Sequence, residues 1–248
     1  MKRPDHLLLL AWLAFAGLVV FLIDISIEQG ALQQMLREDQ SRICFVILLI
    51  YAYGVIHSFL RTLYLSRQLK LTARSVELLL SRPEEPLQLT RTGIQGTAGW
   101  SIPDGFVSGY IRDLMRTKSA MNGNGDPAET RSDLLEAYAS RIRGAHEVGW
   151  FIIDLMLKIG FAGTVIGFML MLNSVTHSSH LDPSMMQKVL REMSYGMGTA
   201  LYTTLLSLIT GILLAVPYQL LDRGLDDLVE TTVYLTEVQI LPRLTQAN

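Results

Sequence analysis

The sequence has little of what a disulfide-bonded, metal-binding or nucleic-acid-binding protein needs. It contains one cysteine, Cys44, which excludes an internal disulfide framework and a cysteine-based metal site. Charged residues make up only 18%, below the roughly 25% usual for soluble domains. The net charge of −2 provides no basic excess for nucleic acid. Half of the residues are apolar and the mean hydropathy is +0.31, which indicates a membrane protein.

Four long apolar runs are present, and each is long enough to cross a bilayer. A spanning helix needs about 20 residues, with a range of roughly 17 to 25. The first run also resembles a secretory signal peptide, but it is long and no small-residue cleavage motif follows it, so we expect a retained helix. The sequence predicts an all-α membrane protein with four transmembrane helices, at residues 7–23, 43–60, 148–172 and 195–221.

The segments between the spans are predicted to be mostly helical. Residues 61–147 form a cytoplasmic insert, in which helix should continue to Arg82, recur over 106–118 and begin again at Pro127. Glycine-rich stretches around them, including residues 90–105, predict loops. Residues 222–248 are predicted to be a cytoplasmic tail, with a short helical extension of the fourth span to about Ile240. No internal repeat is evident, so the chain is expected to be a single membrane domain, residues 1–248.

Basic residues predict the orientation in the membrane. The insert contains twelve Lys or Arg, whereas residues 24–42 and 173–194 contain two each. Segments rich in Lys and Arg remain on the cytoplasmic side. Both termini are therefore expected in the cytoplasm.

The third predicted span has one face of small residues. Gly160, Gly163, Thr164 and Gly167 fall at i, i+3, i+4 and i+7, which is one side of a helix. In lipid, close packing of small residues is what holds helices together. Taken alone, this face predicts a tight helix pair with no transport role.

The fourth predicted span is rich in hydroxyl groups. Gly196, Ala200 and Thr204 form one stripe of small residues, and a second stripe lies beside it. A single membrane threonine usually bonds back to its own helix, but a ladder of hydroxyls is suited to lining a wet or ion-bearing path. The second stripe consists of Thr199, Thr203 and Ser207, with Thr210 following.

The predicted spans contain one acidic residue, Asp154, near an inner end. Lys158 follows at i+4, the favourable order for an ion pair, and we expect the two to pair at the inner mouth of the path. A site that takes up a proton or a bare cation usually needs a carboxylate deep in the membrane. That acid is therefore expected to come from another chain.

Two of these stretches resemble motifs of the MotA/TolQ/ExbB proton-channel family. GFAGTVIGF, residues 160–168, is similar to the family's G-x-x-G-T-x-x-G motif, and ALYTTLLS, residues 200–207, is similar to its A-L-x-x-T motif. The order of two spans, a cytoplasmic insert and two further spans also resembles the family. Thr199 stands where ExbB and TolQ have glutamate, so the resemblance is closest to the MotA/PomA branch.

The resemblance implies an A-type subunit of an ion-driven rotary motor in a bacterial inner membrane. Such a subunit forms a homo-pentamer around a dimer of single-span B-type proteins, whose essential aspartate takes up H⁺ or Na⁺. Thr164 and Thr204 match the two pore threonines, and Thr203 matches a threonine typical of sodium-driven members. Beyond the transported ion and the surrounding lipid, the resemblance implies no cofactor, no resident metal, no nucleic acid and no enzymatic activity.

Two alternatives remain open at this stage. A stand-alone secondary transporter or channel would have a polar site within one chain and often an inverted repeat. A structural scaffold would use the small faces for packing only. The His177-Ser-Ser-His180-Leu-Asp182 cluster has metal-ligand residue types, but a solvated loop is the favoured interpretation, and His57 is expected to be hydrogen-bonded near the inner interface.

Overall fold

The computed structural model of the chain describes residues 7–81, 87–90, 93–96, 100–120, 127–176 and 183–240. The described part is dominated by helices. These are α1 Leu7–Glu28, α2 Ala31–Glu38, α3 Ile43–Leu80, α4 Phe106–Ala120, α5 Pro127–Thr176 and α6 Pro183–Tyr234, followed by a π-helical turn at Leu235–Ile240. Two short strands, β1 Leu87–Thr90 and β2 Gly93–Gly96, pair in an antiparallel hairpin.

Four of these helices are long and apolar enough to cross a membrane, which confirms the all-α membrane fold. They are α1, α3, α5 and α6, and each contains one of the four predicted apolar runs. As expected, α3 continues as helix beyond the apolar run, and α5 begins at Pro127. Proline is favoured at the first position of a helix because its missing N–H would be unpaired there anyway.

The structure has three features that the sequence did not indicate. β2 lies within the stretch predicted as a loop, where its backbone is paired to β1 with Thr90 opposite Gly93. The segment between the first two spans contains α2, and Gly30, with φ of 71°, provides the left-handed turn that precedes it. Helix α6 begins at Pro183, well before the predicted span at 195–221. The more polar residues 183–194 are part of the same helix.

The chain divides into two compact units. One comprises residues 1–10, 61–146 and 220–248, and the other comprises residues 11–60 and 147–219. The first unit has a buried apolar core that includes Leu79, Ile111 and Leu235. In the second, Met35 of α2 packs with residues of α3 and α6, namely Cys44, Ile47 and Leu206. The second unit contains the predicted transport residues.

Candidate functional site

Helices α5 and α6 approach closely along the small face predicted from the sequence. A methyl group added at Gly167 would lie 2.6 Å from the Ala200 backbone nitrogen and from the Gly196 carbonyl oxygen. One added at Gly163 would lie 2.6 Å from the Thr203 Cβ, and one at Gly160 would overlap Ser207. The glycines of α5 therefore pack against α6 of the same chain.

Thr164 of α5 and Thr204 of α6 meet at this contact. Their hydroxyl oxygens are hydrogen-bonded to each other across the two helices. Each hydroxyl also reaches the Ala200 carbonyl, at 3.5 Å from Thr164 and 3.1 Å from Thr204. The Gly160 carbonyl lies 3.3 Å and 3.4 Å from the same two hydroxyls. Four oxygens, two from hydroxyls and two from carbonyls, are thus gathered at one partly exposed point.

The second stripe of hydroxyls has different surroundings. Thr199, Thr203 and Ser207 are almost completely buried. Thr203 donates to the Thr199 carbonyl at 2.9 Å, and Ser207 donates to the Thr204 carbonyl at 2.9 Å. The polarity of Thr203 and Ser207 is satisfied within α6, as is usual for helical Ser and Thr. The structure thus distinguishes the partly exposed hydroxyls of Thr164 and Thr204 from the buried stripe of Thr199, Thr203 and Ser207.

The segment just before α3 contacts α6, a contact that the sequence pattern did not reveal. The Thr199 hydroxyl donates to the Glu38 carbonyl at 3.2 Å and accepts from the Gln40 N–H at 3.2 Å. Glu38 and Gln40 are about 160 positions from Thr199 in the chain, and no periodicity in the sequence pairs them with it. Only tertiary structure brings Glu38 beside the hydroxyl-rich helix.

The remaining predicted polar residues form separate pairs. The Asp154 carboxylate and the Lys158 ammonium are 2.6 Å apart and both side chains are exposed, so the predicted ion pair is present. His57 Nδ1 lies 2.7 Å from the Tyr218 hydroxyl, which confirms that it is hydrogen-bonded. The cluster at residues 177–182 lies outside the described residues. Within the described residues no group of three or more His, Cys, Asp or Glu could hold a metal.

An exposed apolar face runs along α6 beside the threonine pair. At about 100° per residue, its members fall within about 40° of one direction. Thr204 lies about 60° to one side of that direction. The face consists of Met197, Leu201, Leu205, Leu208 and Ile212. Such a face in a membrane is covered by lipid or by another helix.

Residues 107–232, just over half of the chain, match the MotA/TolQ/ExbB proton channel family. The chain belongs to this family. The match extends from α4 through α6 and contains the Thr164–Thr204 pair with all of the small-residue face. No curated protein matches the chain. The protein is thus a multi-pass membrane member of a proton channel family, and such proteins work in complexes with partner membrane proteins.

Proposed function

We propose that the protein is the A-type subunit of an ion-driven rotary motor of the MotA/PomA branch. The observation that supports this best is the Thr164–Thr204 pair, which gathers four oxygens at a partly exposed point beside an uncovered helix face. Hydroxyl and carbonyl oxygens can hold a water chain that carries a proton, and they can replace water around Na⁺.

The pair lacks the charge that ion uptake requires. In the four apolar runs, residues 7–23, 43–60, 148–172 and 195–221, Asp154 is the one carboxylate, and it pairs with Lys158 on an exposed surface. A proton or sodium ion leaving water in a membrane needs a carboxylate partner. We therefore propose that a single-span B-type protein supplies an aspartate opposite the pair.

The exposed face of α6 is the proposed seat of that partner helix. In this arrangement five copies of the chain surround two B-type helices in a bacterial inner membrane, with both termini of each copy in the cytoplasm. Each copy offers the same apolar face and the same threonine pair to the centre. Passage of H⁺ or Na⁺ to the aspartate past successive pairs would turn the ring.

The stoichiometry is tested by single-particle imaging of the complex purified after co-expression with the neighbouring membrane-protein gene. Five copies around two foreign helices, with Thr164 and Thr204 towards the centre, are expected. A monomer or a two-fold dimer with no central helices would contradict the proposal and favour a stand-alone transporter.

Ion passage is tested with Thr204→Val, which removes the hydroxyl and keeps the shape. Loss of one ion-binding oxygen is worth about 1 kcal/mol, so the rate of H⁺ or Na⁺ entry into liposomes should fall about fivefold to tenfold. Thr204→Ser should retain most of the rate. Thr210→Val is the matched control, since that hydroxyl donates to the Leu206 carbonyl at 2.8 Å. Equal rates for Thr204→Val and wild type would show that the Thr204 hydroxyl has no part in ion passage, as expected if this face serves for packing only.

A further inference from the structure

Four acidic residues lie between the first two apolar runs, namely Asp24, Glu28, Glu38 and Asp39. One of them, Glu38, is held against α6. Its carbonyl accepts from Thr199, as described above. Its carboxylate oxygen Oε2 lies 3.2 Å from the position that a Cβ at Gly198 would occupy. The Tyr202 hydroxyl also interacts with this carboxylate. Glu38 is therefore in contact with little more than one turn of α6, at residues 198, 199 and 202.

The neighbouring acid, Asp39, has a different role. Its two carboxylate oxygens accept from the backbone N–H groups of Ser41 and Cys44, at 3.0 and 2.7 Å. It is also almost completely buried. Asp39 therefore holds the turn that leads into α3, and its lone pairs are occupied by that turn.

The Glu38 carboxylate instead faces water. It borders a cavity of about 380 Å³, lined by Gly30, Gln33, Gln34, Arg37, Glu38 and Tyr195. At about 30 Å³ per water molecule, this cavity has room for about twelve waters, enough for a hydrated cation. Gln34 holds one carboxylate oxygen at 3.0 Å, and Glu38 forms no ion pair in the described part of the chain. The negative charge is thus oriented but not neutralised.

The position of Glu38 relates it to the threonine pair. Gly198 precedes Thr204 by six residues, which is about 9 Å along the helix axis. Around the axis, Gly198 and Thr204 lie on opposite borders of the exposed face of α6, each about 60° from its centre. A helix seated on that face would have the carboxylate at one border and the hydroxyls at the other, about 1.7 turns further into the membrane.

We propose that Glu38 collects the cation at the outer mouth and delivers it towards the Thr164–Thr204 pair. The inference rests on the proposed function and on the outer location that the basic residues predict for the segment. A fixed charge at the mouth of a path raises the local cation concentration. The Glu38 carboxylate therefore sets the ion concentration at which transport is half-saturated. The maximal rate depends on later steps.

The test uses the complex with its B-type partner in liposomes, with the entry of H⁺ or Na⁺ measured over a range of external concentrations. Glu38→Gln keeps the side-chain length and can still bond to Gln34 and Tyr202. We expect it to raise the half-saturating concentration about threefold to tenfold, the lower end of the range for charged clefts, with an unchanged maximal rate. Arg37→Gln should shift the half-saturating concentration in the opposite direction, because a positive charge then leaves the same cavity.

Glu28→Gln is the matched control, since it removes the same charge from an exposed position ten residues earlier. It should leave the half-saturating concentration unchanged, and Glu38→Asp should stay close to wild type. The Glu38→Gln shift should also shrink as ionic strength rises, because the Debye length is about 8 Å at 0.15 M.

The outcomes separate the two proposals. If the wild-type complex conducts neither ion, the proposed function is wrong. If it conducts and Glu38→Gln changes nothing, or lowers the maximal rate alone, the role of Glu38 as a cation collector is wrong and the residue only positions α2 on α6.

Discussion

Replacement of Gly167 by alanine should destabilise the protein, whereas the same replacement at Gly144 in the same helix should not. The new methyl group at Gly167 would lie 2.6 Å from the Ala200 nitrogen and from the Gly196 carbonyl oxygen, both backbone atoms of α6. Ordinary contacts begin near 3.4 Å, so the helices would have to separate by about 0.8 Å. Nothing lies within 4 Å of the corresponding position at Gly144.

The two replacements are expected to change the stability of the protein in opposite directions. Overpacking a tight contact costs about 1 to 3 kcal/mol, and alanine recovers up to about 1 kcal/mol of helix propensity. The net loss for Gly167→Ala is about 1 to 2 kcal/mol, or a fall of about 2 to 8 °C in the unfolding midpoint for a chain of this size. Gly144→Ala should raise the midpoint by about 1 to 4 °C, because propensity acts there without a clash.

The measurement is thermal unfolding of both purified variants in the same detergent. Separation of α5 and α6 would also lengthen the hydrogen bond between Thr164 and Thr204, so the ion entry rate should fall in Gly167→Ala and remain unchanged in Gly144→Ala. Equal unfolding midpoints for the two variants would refute the argument that the small face of α5 is required for close packing within the chain.

Two further predictions concern polar contacts other than the threonine pair. Tyr218→Phe removes the hydroxyl 2.7 Å from His57 Nδ1 and keeps the buried ring. The free energy of unfolding in detergent should therefore fall by about 1 kcal/mol. An unchanged free energy would show that this hydrogen bond makes no net contribution to stability. A double-mutant cycle on Asp154 and Lys158, each changed to alanine, should give a coupling energy of about 0.3 to 0.5 kcal/mol, since the pair is exposed; a coupling above about 2 kcal/mol would mean that the pair is buried in the assembled complex.

Strong signals in the sequence predicted the four long helices that the structure contains. Four apolar runs were sufficient to place α1, α3, α5 and α6, because a span must be long, apolar and internally hydrogen-bonded. The spacing of Gly160, Gly163 and Gly167 likewise predicted one packing face. The hairpin of β1 and β2 was missed because a pair of four-residue strands rich in glycine and polar residues has the composition of a loop.

The resemblance to the family motifs also predicted that Thr164 and Thr204 line the same ion path, but it placed Thr203 in that path as well. Thr203 and Thr204 are consecutive residues of α6, and Thr164 lies on α5. The sequence alone does not distinguish a hydroxyl at a surface from one in a packed interface. The structure shows that Thr203 packs on Gly163 and donates to its own helix. The role of Thr203 in an ion path, and with it the preference for sodium, stays a prediction.

By itself, the sequence determined that this is a four-span membrane protein with a small-residue face and a hydroxyl-rich helix, because these depend on local composition and helical period. Only the tertiary structure decided which hydroxyls reach a surface and which acid stands beside them. Thr164 and Glu38 meet α6 from elements about 40 and 160 residues away in the chain. Such contacts depend on how helices are docked together, and helical periodicity along one segment carries no information about the segment that will lie against it.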